Sequence, residues 1–213
     1  MSEAERLARA TAHYRDLAPR YDRATRLIDR IRREAIRALE LRPGDFVIDA
    51  GCGTGWCIPH LLAAVGPAGR VLGFDPSGDM LAVARGRGPL RAAPNLALVQ
   101  GAAHEVELPP GADAVLFSYT HDLTQSEAAL RHVLGAARPG ARVAATSTKL
   151  YARWLWPLNA YLRWSHREYI TDFRHFDAPW TVLSAFLDEF RVDTGPFTQH
   201  YVARGRVKAG LAG

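Results

Sequence analysis

The chain has 213 residues, of which 48% are hydrophobic and 23% are charged. These values are ordinary for a globular protein, and the length suits one domain with its own core. No apolar run approaches the ~18 residues of a membrane-spanning helix, and the charged N-terminus lacks the apolar centre of a secretory signal. We therefore expect a cytoplasmic protein rather than a membrane-spanning or secreted one.

The formal net charge is +5, and nearly all of the positive charge is arginine, because Lys149 and Lys208 are the only lysines. In the densest basic stretch, RATRLIDRIRREAIRALE, the apolar residues Leu27, Ile28, Ile31, Ala35 and Leu39 fall at helical spacing, with acids among the arginines. This pattern predicts an amphipathic helix with a solvated charged face. It disfavours nucleic acid as a partner, although charge alone leaves that alternative open.

In chain order, the pattern predicts a helical N-terminal segment over residues 2–40 and then strands that alternate with helices. The predicted strands are Phe46–Ala50, Arg70–Asp75, 96–101, Asp113–Tyr119 and 141–148. The predicted helices between them are 56–66, with Pro59 in the first turn, 77–88, with Ser77 as N-cap, and 126–140. Residues 190–207 are typical of two strands joined by a Gly-Pro turn. This alternation predicts an α/β fold with a doubly wound, mostly parallel sheet.

The two cysteines, Cys52 and Cys57, lie in or just after a glycine-rich loop. A pair so placed is a poor disulfide framework, and no cysteine or histidine stands nearby at zinc spacing. We expect reduced thiols and no metal.

The stretch VIDAGCGTGW, residues 47–56, places Gly51, Gly53 and Gly55 directly after an apolar strand. Glycines let the chain turn sharply and bring bare backbone against a ligand. The spacing is one residue shorter than the dinucleotide pattern G-x-G-x-x-G, and the Gly-Lys-Ser/Thr of a phosphate loop is absent. Because Asp49 stands two positions before the first glycine, the loop suits a cationic ligand group better than a pyrophosphate.

Together, VIDAGCGTG and VLGFDPSGDMLAVAR resemble class I S-adenosylmethionine-dependent methyltransferases, over about residues 45–147. The resemblance implies their Rossmann-like fold and S-adenosyl-L-methionine as the cofactor. It implies that Asp49 orients the loop and the cofactor's amino end, and that Asp75 takes both ribose hydroxyls, since a carboxylate can accept two vicinal hydroxyl protons. The other cofactor-binding residues that it implies are Gly51, Gly53 and Gly55 along the methionine moiety, Pro76 and Met80 beside the adenine, the backbone of Ala102 and Ala103, and Ser118.

The third strand departs from the family. Where the common form is Gly-Asp-Ala-Glu, this chain has Gly101-Ala102-Ala103-His104, so the acidic contact to the adenine amino group is missing. The amides of Ala102 and Ala103 remain available there, and His104 is a candidate to stack or hydrogen-bond.

Upstream, HYRDLAPRYDRA resembles the Tyr-x6-Tyr-Asp entry segment of small-molecule and lipid-type methyltransferases, which folds over the cofactor as a lid. Tyr14 and Tyr21 are thus predicted to close on the sulfonium, because aromatic faces favour a cation. Ordinary helix packing of both rings is the alternative. The resemblance divides one methyltransferase domain, 1–213, into a helical lid (1–40), a cofactor-binding core (41–148), an acceptor-side aromatic helical insertion (149–180) and a C-terminal helix and strand pair (181–208).

Methyl transfer from a sulfonium is an in-line displacement of an activated donor, so the enzyme chiefly supplies proximity and alignment. The loop SYTHD follows the fourth strand, where this family meets its acceptor. We predict His121 as a general base or acceptor-orienting residue, because imidazole titrates near ~6.5. Asp122 is predicted to N-cap the following helix or to orient His121. A structural role for His121 at the rim is the alternative.

Three acceptor classes are disfavoured. The Asn/Asp-Pro-Pro-aromatic motif of exocyclic-amine methylation is absent after the fourth strand, Cys52 and Cys57 are misplaced for attack on a pyrimidine carbon, and no acidic cluster suggests a metal-dependent catechol site.

Residues 151–180 form an aromatic and basic segment after the fifth strand, with apolar stripes on a helix broken near Pro157. The composition predicts a pocket, within residues 149–180, for an apolar or aromatic small-molecule acceptor. Core packing, a homodimer contact and a membrane surface are the alternatives.

The sequence therefore predicts S-adenosylmethionine-dependent methylation of a small apolar or aromatic molecule. The alternatives are transfer of the aminocarboxypropyl group or cyclisation of the cofactor, N-methylation of a lipid head group, and a non-enzymatic RNA-associated module.

Overall fold

A computed structural model describes residues 18–166, 176–195 and 197–211 of the chain. Its strands are β1 Phe46–Ala50, β2 Arg70–Asp75, β3 Leu96–Gln100, β4 Ala112–Ser118, β5 Ala137–Thr148, β6 Leu187–Thr194 and β7 His200–Val207. Its α-helices are α1 Tyr21–Ala24, α2 Asp29–Ala38, α3 Ile58–Val65, α4 Gly78–Gly86, α5 Gly88–Arg91, α6 His121–Thr124, α7 Glu127–Gly135, α8 Trp156–His166 and α9 Thr181–Ser184. Single 3-10 turns lie at Ala18–Arg20, Arg26–Ile28 and Arg153–Leu155.

The described strands form one sheet of seven, in the order β3-β2-β1-β4-β5-β7-β6. The first five strands run parallel, and β7 lies antiparallel between β5 and β6. The predicted doubly wound, mostly parallel fold is confirmed. Strand order reverses between β1 and β4, and the crevice at the carboxyl ends of these two strands is where open α/β sheets bind ligands.

Successive side chains of each strand point to opposite faces of the sheet, so each face carries its own hydrophobic core. Phe46 and Ile48 of β1 pack on one face with α7, whereas Val47 packs on the other face with α2 and α3. Since Asp49 shares the parity of Val47, its side chain belongs to the face that α2 and α3 cover.

Local signals set several boundaries as predicted. Ser77 caps α4, because its hydroxyl oxygen accepts from the amide of Met80 at 3.3 Å. Pro59 lies in the first turn of α3, and Gly66 ends that helix with a φ of 66°. In the predicted insertion, a 3-10 turn at Arg153–Leu155 precedes α8, which begins at Trp156 with Pro157 in its first turn.

The predicted helix over 126–140 is wrong beyond Gly135, because β5 begins at Ala137. The amides of Gly111 and Ala112 both donate to the carbonyl of Ala136, at 2.8 and 3.1 Å, and draw this segment into the sheet. Pro139 could not have continued a helix in any case. Asp122 does not N-cap α7 as predicted. The cap is Ser126, whose hydroxyl oxygen accepts from Ala129 at 3.3 Å.

The N-terminal helix is also shorter than predicted within the described residues. It breaks between α1 and α2 around Thr25, whose amide and hydroxyl both donate to the carbonyl of Tyr21. Leu27, predicted on the apolar face, is 95% exposed, whereas Ala35 and Leu39 are buried as expected. No helix of the described residues is long and apolar enough to cross a membrane.

A buried ion pair ties the turn before β1 to the middle of the sheet. Arg142 of β5 donates to Asp45 at 2.7 Å and to the carbonyl of Glu40 at 2.7 Å. Arg142 and Asp45 are both buried. Removing one partner would leave the other as a buried, poorly compensated charge.

Arg142→Met is therefore expected to lower the free energy of unfolding by about 3 kcal/mol, measured by urea denaturation. The control is Arg131→Met, which removes an exposed pair with Glu127 on α7 and should change stability by about 0.5 kcal/mol at most. Equal losses in the two variants would contradict this account of the Arg142 pair.

Candidate active site

The glycine-rich loop turns sharply at the end of β1. Gly51, Gly53 and Gly55 have φ values of 71°, 53° and 71°, a region that favours glycine. A Cβ on Gly51 would meet Thr120 Cγ2 at 2.3 Å, and one on Gly55 would meet Ala84 Cβ at 3.0 Å. At Gly53 a Cβ would meet only open space. The first and last glycines thus permit close packing, and the middle one leaves bare backbone beside the crevice.

Asp49 places a carboxylate inside the protein at the end of β1. It is 1% exposed, and its Oδ2 has no hydrogen-bond partner among the described residues. Burial, followed by the negative charge of Asp75, raises the pKa of Asp49 to about 7, against the opposing effect of Arg32. Such a group needs a cation or a donor to complete it.

Asp75 ends β2 and fastens the loop. Its two carboxylate oxygens accept from the amides of Gly53 and Ser77, each at 2.9 Å. Burial raises its pKa, and these two hydrogen bonds oppose the rise. Each oxygen keeps a further lone pair, so the carboxylate can still accept from a pair of hydroxyls.

Arg32 of α2 is a buried cation beside these acids that the sequence patterns missed. It is 4% exposed, and its guanidinium carbon lies 5.8, 5.2 and 5.6 Å from the ring centres of Tyr21, Trp56 and Tyr119. Burial raises the pKa values of Asp49 and Tyr21, and the positive charge of Arg32 opposes both rises. Tyr21, predicted to face the cofactor's sulfonium, therefore already lies beside a cation of the protein. The sequence signal that could have revealed Arg32 is its position on the helix face that carries the apolar residues.

The segment predicted as a lid is fastened to the loop through Asp22. Thr54 donates from its hydroxyl to Asp22 at 2.6 Å, and Arg87 forms an ion pair with the same carboxylate. Arg87 also donates from Nε to the carbonyl of Thr54 at 2.6 Å. The described part of this segment thus contacts the cofactor-side loop. Tyr14 lies outside the described residues.

His121 is the first residue of α6, directly after the rim of β4. It is 7% exposed, and its ring centre lies 4.8 Å from that of Phe176. Tyr119, in the same rim loop, has a φ of 60° and a hydroxyl 3.0 Å from Nδ1 of His200. Ser118 is half-buried at the end of β4. These residues stand at the same rim as the loop, while their catalytic or binding roles remain predictions.

The predicted adenine side lies beyond β2 and β3. Met80 and Ala102 are buried, and Ala103 is half-buried against the core. His104 is exposed, with Nε2 3.3 Å from a carboxylate oxygen of Glu105. Pro76 is half-buried after β2, and its carbonyl accepts from Gln100 at 3.3 Å.

The cysteines and the acidic and histidine side chains complete the description of the site. Cys52 and Cys57 are free thiols, and burial raises the pKa of each. Within residues 18–166, 176–195 and 197–211, no cluster of His, Cys, Asp or Glu could hold a metal ion.

Comparison with known proteins places the fold among methyltransferases. Residues 47–140 match the family described as methyltransferase domain. The chain is 29% identical to a demethylmenaquinone methyltransferase of Listeria welshimeri, over 71% of this chain and 68% of that protein. It is 38% identical to an uncharacterized protein in transposon TN4556 of Streptomyces fradiae, over 50% of this chain but 31% of the other. The DhpI–SAH complex (SAH is S-adenosylhomocysteine) aligns at a TM-score of 0.64 and 19% identity, over 95% of this chain and 97% of that one.

The family match covers the glycine loop and the four strands that carry the predicted cofactor residues. Residues 47–140 match a methyltransferase domain, and the fold is that of class I S-adenosylmethionine-dependent methyltransferases. The methyltransferase match supports an enzyme, and the DhpI neighbour is complexed with S-adenosylhomocysteine, the demethylated form of the predicted cofactor S-adenosyl-L-methionine.

The residues present fit this cofactor. Asp49 offers an unpartnered buried carboxylate to its ammonium group, and Asp75 offers a half-buried carboxylate to its ribose hydroxyls. Gly53 leaves open space between these two acids. Arg32 is a buried cation of the sign that the cofactor's own carboxylate requires.

Asp75→Ala is expected to raise the dissociation constant for S-adenosylhomocysteine about 10- to 100-fold in calorimetry, because it removes a charged acceptor for two hydroxyls. The control is Asp79→Ala, which removes an exposed acid four residues further on. Unchanged affinity in Asp75→Ala would refute the ribose assignment.

Asp49 makes cofactor affinity depend on pH. The ammonium group requires the ionised carboxylate, so affinity should fall as pH drops below about 7, by up to about tenfold per pH unit. Asp49→Asn should bind more weakly at pH 8 and lose this dependence in calorimetric titrations between pH 6 and 8.

The raised pKa of Asp49 also makes the stability of the cofactor-free protein depend on pH, in the opposite direction to cofactor affinity. Because the folded-state pKa exceeds the unfolded value, folding favours the protonated carboxyl, and stability falls as pH rises from 3.8 to about 7. Asp49→Asn should therefore unfold at a higher temperature than the wild type at pH 8. A less stable variant with an unchanged pH profile would refute the role of a buried charge.

Proposed function

We propose that this methyltransferase transfers the methyl group to a small apolar or aromatic molecule bound beside the end of β5. The observation that carries the proposal is a cavity of about 320 Å³ at the carboxyl-end rim of the sheet. Its lining residues are Lys149, Leu150, Tyr151, Ala152, Arg153, Asp177, Trp180, Thr194 and Gly195. Pockets of this size hold drug-sized ligands with apolar walls and a few polar groups.

The position of the cavity supports this function. β5 lies next to β4 in the sheet, and both strands end at the rim that carries the glycine loop. The turn between β6 and β7 closes the same side, because the amide of Lys149 donates to the carbonyl of Gln199 at 2.7 Å. The described lining residues come largely from the predicted insertion, 149–180.

When bound, S-adenosylmethionine supplies a methyl group already activated on a sulfonium. The chain's residues then need to bind, orient and exclude water. Asp49 and Asp75 would hold the two ends of the cofactor, and Arg32 would meet its carboxylate while the rings of Tyr21, Trp56 and Tyr119 keep that guanidinium dry. Fixing donor and acceptor in line can supply much of the acceleration.

His121 would act where the acceptor carries a proton that must leave. It lies on the rim between the loop and the cavity side, in ring contact with Phe176. An imidazole there can accept a proton from a hydroxyl or amine as the new bond forms. The name of the Listeria relative, demethylmenaquinone methyltransferase, also favours a small-molecule acceptor.

The test is product analysis of purified protein incubated with labelled S-adenosylmethionine and a panel of phenols, quinols and amines. We expect S-adenosylhomocysteine in amounts equal to the methylated acceptor, and about a 100-fold or larger decrease in turnover for His121→Ala with hydroxyl acceptors. Methylthioadenosine as the product would instead indicate aminocarboxypropyl transfer. Methylated phospholipid as the preferred product would indicate a lipid head group.

A further inference from the structure

Lys149 is a buried cation that the proposed transfer chemistry does not use. It follows β5 directly and is 5% exposed. Its Nζ donates to the carbonyl of Leu150 at 3.0 Å. An ammonium group has three donors, and no carboxylate of the described residues forms a salt bridge with Lys149. Lys149 also lines the cavity, and only one of the three donors of its ammonium group is used by a described residue.

The charges of the cavity favour a negative ligand group. Arg153 adds a second cation at the lining, and Asp177 is the one acid among the described lining residues. Both of these side chains are exposed and hydrated, whereas Lys149 is buried. Burial lowers the pKa of Lys149, which is the direction expected of an ammonium group without an anion beside it.

The walls of the cavity favour a flat apolar body. Tyr151 and Trp180 line it, and Trp180 is held in place by Tyr201, with ring centres 5.0 Å apart. Tyr151 is fixed through its backbone, since its amide donates to Asn159 Oδ1 at 2.8 Å and its carbonyl accepts from Asn159 Nδ2 at 3.2 Å. Because the Trp180 ring and the Tyr151 backbone are held in this way, an aromatic ligand can stack there with less loss of conformational freedom.

We propose that the cavity binds an organic acid, in which an anionic group such as a carboxylate pairs with the ammonium group of Lys149 and an aromatic body lies between Tyr151 and Trp180. The ligand completes the hydrogen bonds of a cation that the described residues leave open. A neutral or cationic molecule of the same shape would leave that cation buried without a partner.

This inference deepens the proposed function and rests on it only where the ligand is taken to be the methyl acceptor. Binding itself can be measured without any turnover. A protein that binds aromatic acids at Lys149 but methylates none of them would therefore refute the acceptor role and leave the binding site standing.

The chain offers its own internal control, because Lys149 and Lys208 are its only lysines. Lys208 follows β7 at the opposite end of the strands from Lys149, since β7 runs antiparallel to β5, and its Nζ lies 2.7 Å from the carbonyl of Ala185. In protein labelled with ¹³C-lysine, the Cε resonances can be followed during titration with 1-naphthoate, with its neutral analogue 1-naphthamide, and with inorganic phosphate.

We expect 1-naphthoate to shift the Lys149 resonance saturably and to raise the pH at which it titrates, while Lys208 stays unchanged. 1-Naphthamide should give a smaller shift, and phosphate alone should bind more weakly than 1-naphthoate because it lacks the aromatic body. Equal shifts of both lysines, or no shift of Lys149 with any probe, would overturn the proposal. A phosphate response as strong as that of 1-naphthoate would overturn the assignment of the aromatic walls.

Two variants separate charge from packing. Lys149→Met keeps the length of the side chain and should weaken 1-naphthoate binding about tenfold, as loss of a charge-assisted hydrogen bond predicts. Lys149→Arg should retain most of the affinity. Binding is measured by calorimetry, and thermal unfolding confirms that both variants are folded. Full affinity in Lys149→Met would overturn the proposal, as would equal losses for 1-naphthoate and 1-naphthamide.

Discussion

The rest of the site depends on one carboxylate that is buried at the end of β1. Asp49 is inside the protein, its Oδ2 lacks a partner among the described residues, and its pKa is raised to about 7. Asp75, whose pKa is also raised, stands nearby, so two acids share one crevice. Two neighbouring carboxylates with raised pKa values are typical of a site that binds a positively charged ligand group. Arg32 lies among three aromatic rings, and its positive charge offsets part of the negative charge of the two acids.

The charged contacts around the loop link the N-terminal segment to cofactor binding. Asp22 holds Thr54 and Arg87, and Asp75 holds the amide of Gly53, so both sides of the loop depend on carboxylates. Asp75 holds the backbone of the loop, whereas Asp49 is buried and its Oδ2 has no partner among the described residues. The sequence does not separate these two roles, because both residues are aspartates near glycines. On the proposed acceptor side the sign of the charge is reversed, because Lys149 is a buried cation with no salt bridge to a described carboxylate.

The sequence predicted the parallel core and the glycine-rich turn after β1, because these depend on short-range signals. β1 and β2 were predicted residue for residue, and Ser77 caps α4 as expected. The failures came where a distant segment overrides the local pattern. Helical periodicity predicted a helix that continues past Gly135. In the structure, the backbone of Gly111 and Ala112 pairs with Ala136, and the following residues belong to β5. Leu27 has apolar spacing and is nevertheless 95% exposed.

The sequence by itself determined the fold class and the cofactor, since alternating periods and a glycine loop between two strand-end acids are encoded within about thirty neighbouring residues, each rule acting locally. Only the tertiary structure decided what lies around those acids. Arg32, Asp22 and Arg87 come from three separate segments, and no spacing rule brings them to one loop. The cavity at Lys149 likewise needs β5, the insertion and the β6–β7 turn to converge. Charge pairing and burial depend on distance in space, which a linear pattern does not contain.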